Sequence, residues 1–489
     1  MIPLTLAEVL DAVDGRLSLP QPPSDTPTAR LLEAVTTDSR EVPPAPALFA
    51  ALTGEHFDGH DYAAQAVAVG AVAVLAERPL PELDVPVIVV DDTRRALLAL
   101  GEQVRRRVNP LTVAVTGSVG KTTVKDLTAA AVGAGRRVHA ARGSYNNELG
   151  VPLTLLGLTA DVEVLVAEVG ARHVGDIAAL APSVAPQVAI VTAVAGVHLE
   201  VFGTIEAIAR AKAELVGALD AQGTAVLNAD DPRVEAMAAR APGAVLRVGL
   251  DHPRGGLDVS AERVRLDAQA RPRGLAHTPW GAVELAVPIA GRHQLRNALF
   301  ALAVAGHLGV DLGAAAAAIA AAPVSPWRGE VRHAGGITVL NDAYNANPLA
   351  VRAALDTLVA LDGSGRRIAV LGVMAELGPT APAEHEAVGR ACAELGLDLV
   401  IAVGSEAVGI AAGARSAGLE GSVVEVADAT AALELLRGEL RAGDRVLVKA
   451  SRVAGLERVA LALVPDAAPD PDAAPDPDAA DSVGAEVRP

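Results

Sequence analysis

Between Leu111 and Val124 the chain reads LTVAVTGSVGKTTV, an order of residues that few folds accommodate. Leu111 to Thr116 is a run of small and β-branched residues, the composition of a strand covered on both faces, and KTTVKDLTAAAV after it reads as a helix. Gly117 and Gly120 between them allow a turn tight enough to aim several backbone N–H groups and the positive helix end at one anion. Lys121 then reaches the β- and γ-phosphates of a nucleotide, and the Thr122 hydroxyl binds the accompanying Mg2+. The loop comprises Thr116, Gly117, Ser118, Val119, Gly120, Lys121, Thr122 and Thr123. It departs from GxxxxGK[ST] only at Val115, where the first glycine would stand. The expected nucleotide is ATP.

A strand covered on both faces needs neighbouring strands and crossover helices, and the pattern around it supplies them. Residues 1–108 read as a small α/β domain, with helices near Leu4–Val13 and Thr93–Val108 and strands near Ala71–Ala76 and Val85–Val90. A loop, PQPPSDTP, interrupts its start, and Asn109-Pro110 ends its last helix. Residues 109–322 read as a doubly wound domain around the phosphate loop, with strands at VEVLVAE, QVAIVTA and TAVLN. Antiparallel strands are expected in an insert near Gly256–Ala290, followed by an alanine-rich helix near Ala314–Ala322. In residues 323–464 the alternation resumes as a Rossmann-like sheet through ITVLND, RIAVLG, DLVIAVG, SVVEVA and DRVLVKAS, with no glycine-rich fingerprint. The fold class is therefore α/β in three domains.

Composition restricts the partners. Of the 489 residues 51% are hydrophobic but only 2% aromatic, so the cores are built from Ala, Val and Leu. A formal charge of −18 argues against nucleic acid or an anionic membrane surface. Part of that charge lies in residues 465–489, a Pro/Ala/Asp repeat with seven acids against Arg488 alone, expected as a disordered tail. The single cysteine, Cys392, excludes an intrachain disulfide and fits a reducing compartment. The N-terminus has acids where a signal peptide carries Lys or Arg, and no apolar run approaches membrane-spanning length. A cytoplasmic monomer is expected.

Chemistry-bearing residues gather at strand ends. Glu168 closes VEVLVAE at a carboxyl edge, where a carboxylate can hold the nucleotide's Mg2+ or simply face solvent. His198 follows the next strand, as a metal or phosphate contact or as a packing residue. Lys212 shares the helical face of Ile205, Ile208, Leu215, Val216 and Leu219, where an ammonium needs a depressed pKa, a partner or an escape route to water. NADDP places two acids at a turn, and Asn297 opens a helix where an amide can read a purine edge. Arg328 stands at the junction with the last domain, suited to swing onto a phosphate. Asp342, Asn345 and Asn347 crowd one loop before Pro348, more polar groups than a helix cap requires. Asp38-Ser39-Arg40 suits a diphosphate or an ordinary surface turn.

In order along the chain, TDSR, FAALTGEHFDGH, TGSVGKTT, SYNNELGVPLTLL, NADDP, DAYNANP and LGVMAELG resemble motifs of the Mur ligases, ATP-dependent amide-forming enzymes of peptidoglycan precursor synthesis. The resemblance runs from Thr5 to Leu463. DAYNANP and LGVMAELG point to the branch that joins D-alanyl-D-alanine to UDP-N-acetylmuramoyl-tripeptide through an acyl phosphate; the DNPR-like motif of a sister branch is absent. By resemblance, Lys121 and its loop hold the triphosphate, and Thr122 and Glu168 bind one Mg2+. His198 and a carbamylated Lys212 serve a second. Lys121, His198, Lys212 and Arg328 form the implied catalytic set. Asn297 is implied at adenine, Arg328 at phosphate and Asp342 at ribose. Asp38, Ser39, Arg40, Asn146 and Asn147 are implied at the UDP-sugar-peptide, and Asn345, Asn347 and Lys449 at the incoming dipeptide. Ala450 stands where the family usually has glycine. A different amide ligase, such as folylpolyglutamate synthase, or a non-ligase NTPase are the alternatives the phosphate loop alone leaves open.

Overall fold

The computed structural model describes residues 1–18, 29–54, 57–251, 256–323, 325–419 and 422–465. The expected acidic tail, beyond Pro465, and the PQPPSDTP loop lie outside them.

Three large sheets follow one another along the chain, beside a two-stranded and a three-stranded one among the described residues. The first has the order Arg16–Ser18, Val87–Val89, Ala71–Ala76, Ala47–Ala50, Ala34–Thr36, parallel except for its first strand. Helix Leu6–Val13 starts two residues later than expected because Leu4–Thr5 pairs with Leu31–Leu32. Thr5 then closes a capping box, accepting the Glu8 N–H at 3.2 Å while Glu8 accepts the Thr5 N–H at 2.7 Å. Helix Thr93–Val108 is capped by Asp92 and ends at Asn109, whose left-handed φ of 52° and following proline break it where the sequence indicates.

The central sheet is six-stranded and parallel, ordered Ala244–Val248, Thr224–Asn228, Val188–Val191, Leu111–Thr116, Val164–Glu168, Val138–Ala140. Leu111–Thr116 lies inside it, its neighbours ending at Glu168 and Val191, so both adjoining loops open beside the phosphate loop. Helix His293–His307 is apolar almost all round and buried from Ala298 to Gly306 against helix Lys121–Gly133, which fixes the phosphate-loop helix from behind. The insert forms three antiparallel strands, Ser260–Leu266, Pro272–Thr278 and Gly281–Ala286, as its alternation predicts.

The last sheet is ordered Glu330–Ala334, Ile337–Asn341, Arg445–Lys449, Arg367–Leu371, Leu399–Val403, Val423–Val426. Its first strand is antiparallel and was not expected. Gly335 and Gly336, at φ 58° and 79°, form the two-residue turn that folds it back, a signal present in the sequence. Ala450 is fully buried with no positive φ, and its methyl is accommodated because Gly372 faces it, where a Cβ would lie 2.8 Å away.

Candidate active site

The phosphate loop is shaped by its neighbour strand. Gly117 has φ 145°, and a Cβ there would lie 2.0 Å from Thr192 Oγ1. The Thr192 hydroxyl donates to the Val119 carbonyl at 2.5 Å, Ser118 donates its N–H to Ala193 at 2.8 Å, and its hydroxyl donates to the Ala195 carbonyl at 3.0 Å. Ser118 thus spends its side chain on the protein. Thr192, which sequence reasoning missed, braces the turn from the end of QVAIVTA.

Below the loop, Glu168 is 1% exposed, accepting from the Thr122 hydroxyl at 2.9 Å and from Asn146 Nδ2 at 2.7 Å. Asn146 therefore sits at the Glu168 carboxylate. Asn147 instead accepts the N–H groups of Gly150 and Leu149 at 2.8 and 3.3 Å, holding the start of helix Gly150–Leu156. Lys125 is buried and donates to the carbonyls of Ala141 and Gly143 at 2.5 and 2.8 Å, tying the SYNN loop to the phosphate-loop helix.

Lys121 folds back to donate to the Gly117 carbonyl at 3.0 Å. Burial lowers its pKa first, Arg328 adds to the effect and Glu168 opposes it, which places these charges in one cluster. Lys212 is 2% exposed and makes no hydrogen bond among the described residues; its amine lies 5.9 Å from the Phe202 ring centre. Burial, then the Lys121 charge, lowers its pKa to about 7 against the pull of Asp176 and Glu214. Of the readings of this lysine, the structure favours a buried side chain.

His198, at φ 52°, turns its ring to the Glu376 carboxylate, brought from LGVMAELG in the last domain. Arg328 stacks 3.6 Å over Tyr344 of DAYNANP, whose hydroxyl meets Ser144 of the SYNN loop. Asn297 donates to Gln294 at 2.8 Å and lies beside the phosphate loop, where a Cβ on Gly120 would approach it to 3.2 Å.

Lys449 is consumed by the DAYNANP loop, donating to Asp342 Oδ2 at 2.6 Å and to the carbonyls of Asp342 and Asn345 at 3.1 and 2.8 Å. The other Asp342 oxygen accepts the Gly329 N–H at 3.0 Å. Asn347 caps helix Pro348–Ala360 through the Ala350 N–H at 2.9 Å, and Asn345 accepts from Ala346 at 2.8 Å. In NADDP, Asp231 accepts the Val194 N–H at 2.8 Å and Asp230 those of Leu250 and Asp251 at 2.9 and 3.0 Å, a loop-organising role. Asp38 and Arg40 pair with each other at 2.7 Å in the first domain, while Ser39 is buried and donates to Gln65 at 3.2 Å. Among the described residues no cluster of three or more His, Cys, Asp or Glu side chains could hold a metal.

A nucleotide cradle at the edge of a parallel sheet, faced by a further domain that brings Arg328 and Glu376 to it, defines an ATP-driven enzyme whose site is shared between domains. Three family models match consecutive segments: the Mur ligase family, catalytic domain at residues 32–105, the Mur ligase middle domain at 115–305, and the Mur ligase, glutamate ligase domain at 327–452. The chain belongs to the Mur ligase family and is an ATP-dependent amide-bond-forming ligase. It is 42% identical over 507 residues to the UDP-N-acetylmuramoyl-tripeptide–D-alanyl-D-alanine ligase of Mycobacterium tuberculosis, covering 95% of this chain and 98% of that one. Among solved structures it is similar to MurF from Acinetobacter baumannii, with a TM-score of 0.83 at 31% identity over 94% of this chain and 98% of that one. MurF ligase from Thermotoga maritima in complex with ADP gives a TM-score of 0.76 at 29% identity over 88% and 96%.

Proposed function

We infer that the chain joins D-alanyl-D-alanine to UDP-N-acetylmuramoyl-tripeptide, yielding the UDP-linked pentapeptide, ADP and phosphate. The observation that carries the chemistry is the Lys121, Thr122 and Glu168 group at the ends of adjoining elements, joined by Lys212 from within helix Ile205–Gly217; the full-length likeness to ligases of that name carries the substrates. The division of labour we propose is UDP-sugar-peptide binding by residues 1–108, ATP binding by 109–322 and the ligase closure by 323–464.

A carboxylate is a poor electrophile, so the reaction first activates it. The terminal carboxylate oxygen of the tripeptide attacks the γ-phosphorus, and the β–γ bridging oxygen leaves with ADP. The dipeptide amine then attacks the acyl carbon, phosphate departs, and the nitrogen gives up its proton. The Gly117–Thr122 backbone and Lys121 hold the triphosphate in line, with Arg328, held by its stack on Tyr344, reaching it from the hinge. Asn297 serves adenine and Asp342 ribose. Asp38, Ser39 and Arg40 receive the UDP-sugar-peptide, and Asn345 presents the dipeptide. We also assign Asn146 and Asn147 to the UDP-sugar-peptide and Asn347 and Lys449 to the dipeptide, while the partners given above hold their loops in shape.

The donor set fits Mg2+: Thr122 and Glu168 are hard oxygen ligands already in contact, and Lys212 has an unbonded amine with a pKa of about 7. Such an amine adds CO2 and loses a proton to become an anionic carbamate. Thr122 and Glu168 would hold one ion, and His198 with carbamylated Lys212 a second. When bound, the ions neutralise charge on the phosphoryl group in transfer. We place the reaction in the cytoplasm and assign the monomer as the active unit. Among the described residues no helix is long and apolar enough to cross a membrane.

The deciding experiment supplies purified protein with Mg2+, ATP, UDP-N-acetylmuramoyl-tripeptide and D-alanyl-D-alanine. Pentapeptide with stoichiometric ADP is expected. ADP release that needs neither peptide would replace the ligase with an NTPase.

A further inference from the structure

At the phosphate end of the cleft, the contact between the central and last domains converges on one side chain. Glu376 lies between strand Arg367–Leu371 and helix Ala381–Glu394. Its carboxylate meets His198 Nδ1 and lies 3.2 Å from the Arg172 guanidinium, and its carbonyl accepts the Glu200 N–H at 3.3 Å. Two residues on, Gly378 packs so closely that a Cβ there would lie 3.1 Å from Glu200 Cα.

The partners come from two loops. Arg172 follows strand Val164–Glu168 and His198 follows Val188–Val191, the two strands flanking the phosphate-loop strand. Both contacting residues have left-handed backbones, φ 52° at His198 and 61° at Glu376, unusual for side chains with a Cβ. A rim ion pair on its own contributes little. Here one carboxylate joins two loops, while the same residue's backbone carbonyl makes a second contact with the His198 loop that a side-chain change leaves in place, so losing the carboxylate frees His198 and Arg172 together.

We propose that Glu376 is a positioning residue that sets His198 and the adjoining loop at the phosphate edge. This rests on the ligase reading above.

The test uses Glu376→Gln, which keeps the shape, and Glu376→Ala. In both, kcat is expected to fall about 10-fold or more while the KM for ATP stays within about twofold, because the triphosphate cradle is untouched. Adding Glu376→Ala to His198→Ala is expected to cost less in kcat than Glu376→Ala costs alone. Hydrogen exchange of ligand-free protein should be faster across residues 197–203 in both variants. Wild-type kcat together with wild-type exchange in Glu376→Gln would overturn the proposal. If the wild-type chain itself makes no pentapeptide, the ligase reading falls, and the exchange comparison still decides whether Glu376 holds the loop.

Discussion

Lys212 concentrates the chemistry and the instability of this fold in one amine. A lysine in the unfolded chain titrates near 10.4, whereas this one is held at about 7. Between those values the unfolded chain binds one proton more than the native chain, so stability rises with pH across that window, and the burial penalty is fully present below it. The gap corresponds to at most about 5 kcal/mol. Lys212→Met fills the same apolar face without a charge. In metal-free, CO2-depleted buffer it should raise Tm by several degrees at pH 7 and by less at pH 10, read by calorimetry, while abolishing turnover. A variant that is active, or destabilised at pH 7, contradicts this account.

At the scale of elements, the phosphate loop is a turn that exists because a strand beside it ends in threonine. Thr192 occupies the space a Gly117 side chain would need, and the φ of 145° is itself costly for any residue with a Cβ. Gly117→Ala should therefore lose ATP binding by about 100-fold and cost about 2 kcal/mol or more, since both the clash and the backbone resist it. Isothermal titration and urea unfolding separate the two losses. Unimpaired ATP binding would mean that the cradle is not built by this turn.

Across the whole molecule the joints differ: the first and central domains share one continuous apolar core, whereas the central and last domains also meet through polar pairs. Ser325 donates to Asp126 at 2.5 Å, and the Ser144 and Tyr344 hydroxyls meet between the two loops that frame the site. Tyr344 also carries the Arg328 stack. Tyr344→Phe keeps the stack and removes the hydroxyl contact, whereas Tyr344→Ala removes both. We expect a kcat loss of about threefold for the first and about 30-fold for the second, since a stacked cation is worth about 2 kcal/mol once desolvated. Equal losses would show that the ring face has no part in holding Arg328.

The chain's amino acids by themselves determined the phosphate loop, the strand runs on which the three sheets are built, and the anomaly of a lysine on an apolar face. Each of these is written in neighbours a few positions apart: a 3.6-residue or two-residue period, a glycine turn, a helix stop at Asn109-Pro110. What only the tertiary structure decided is which polar groups meet. Asn146 meets Glu168 across 22 positions and Lys449 meets Asp342 across 107, while His198 meets a glutamate from another domain. Strand order brings these pairs together, and periodicity carries no information about strand order. Every strand-end loop offers the same polar residue types, so which of them becomes a partner is settled by the packing of distant apolar faces and not by the loop's own sequence.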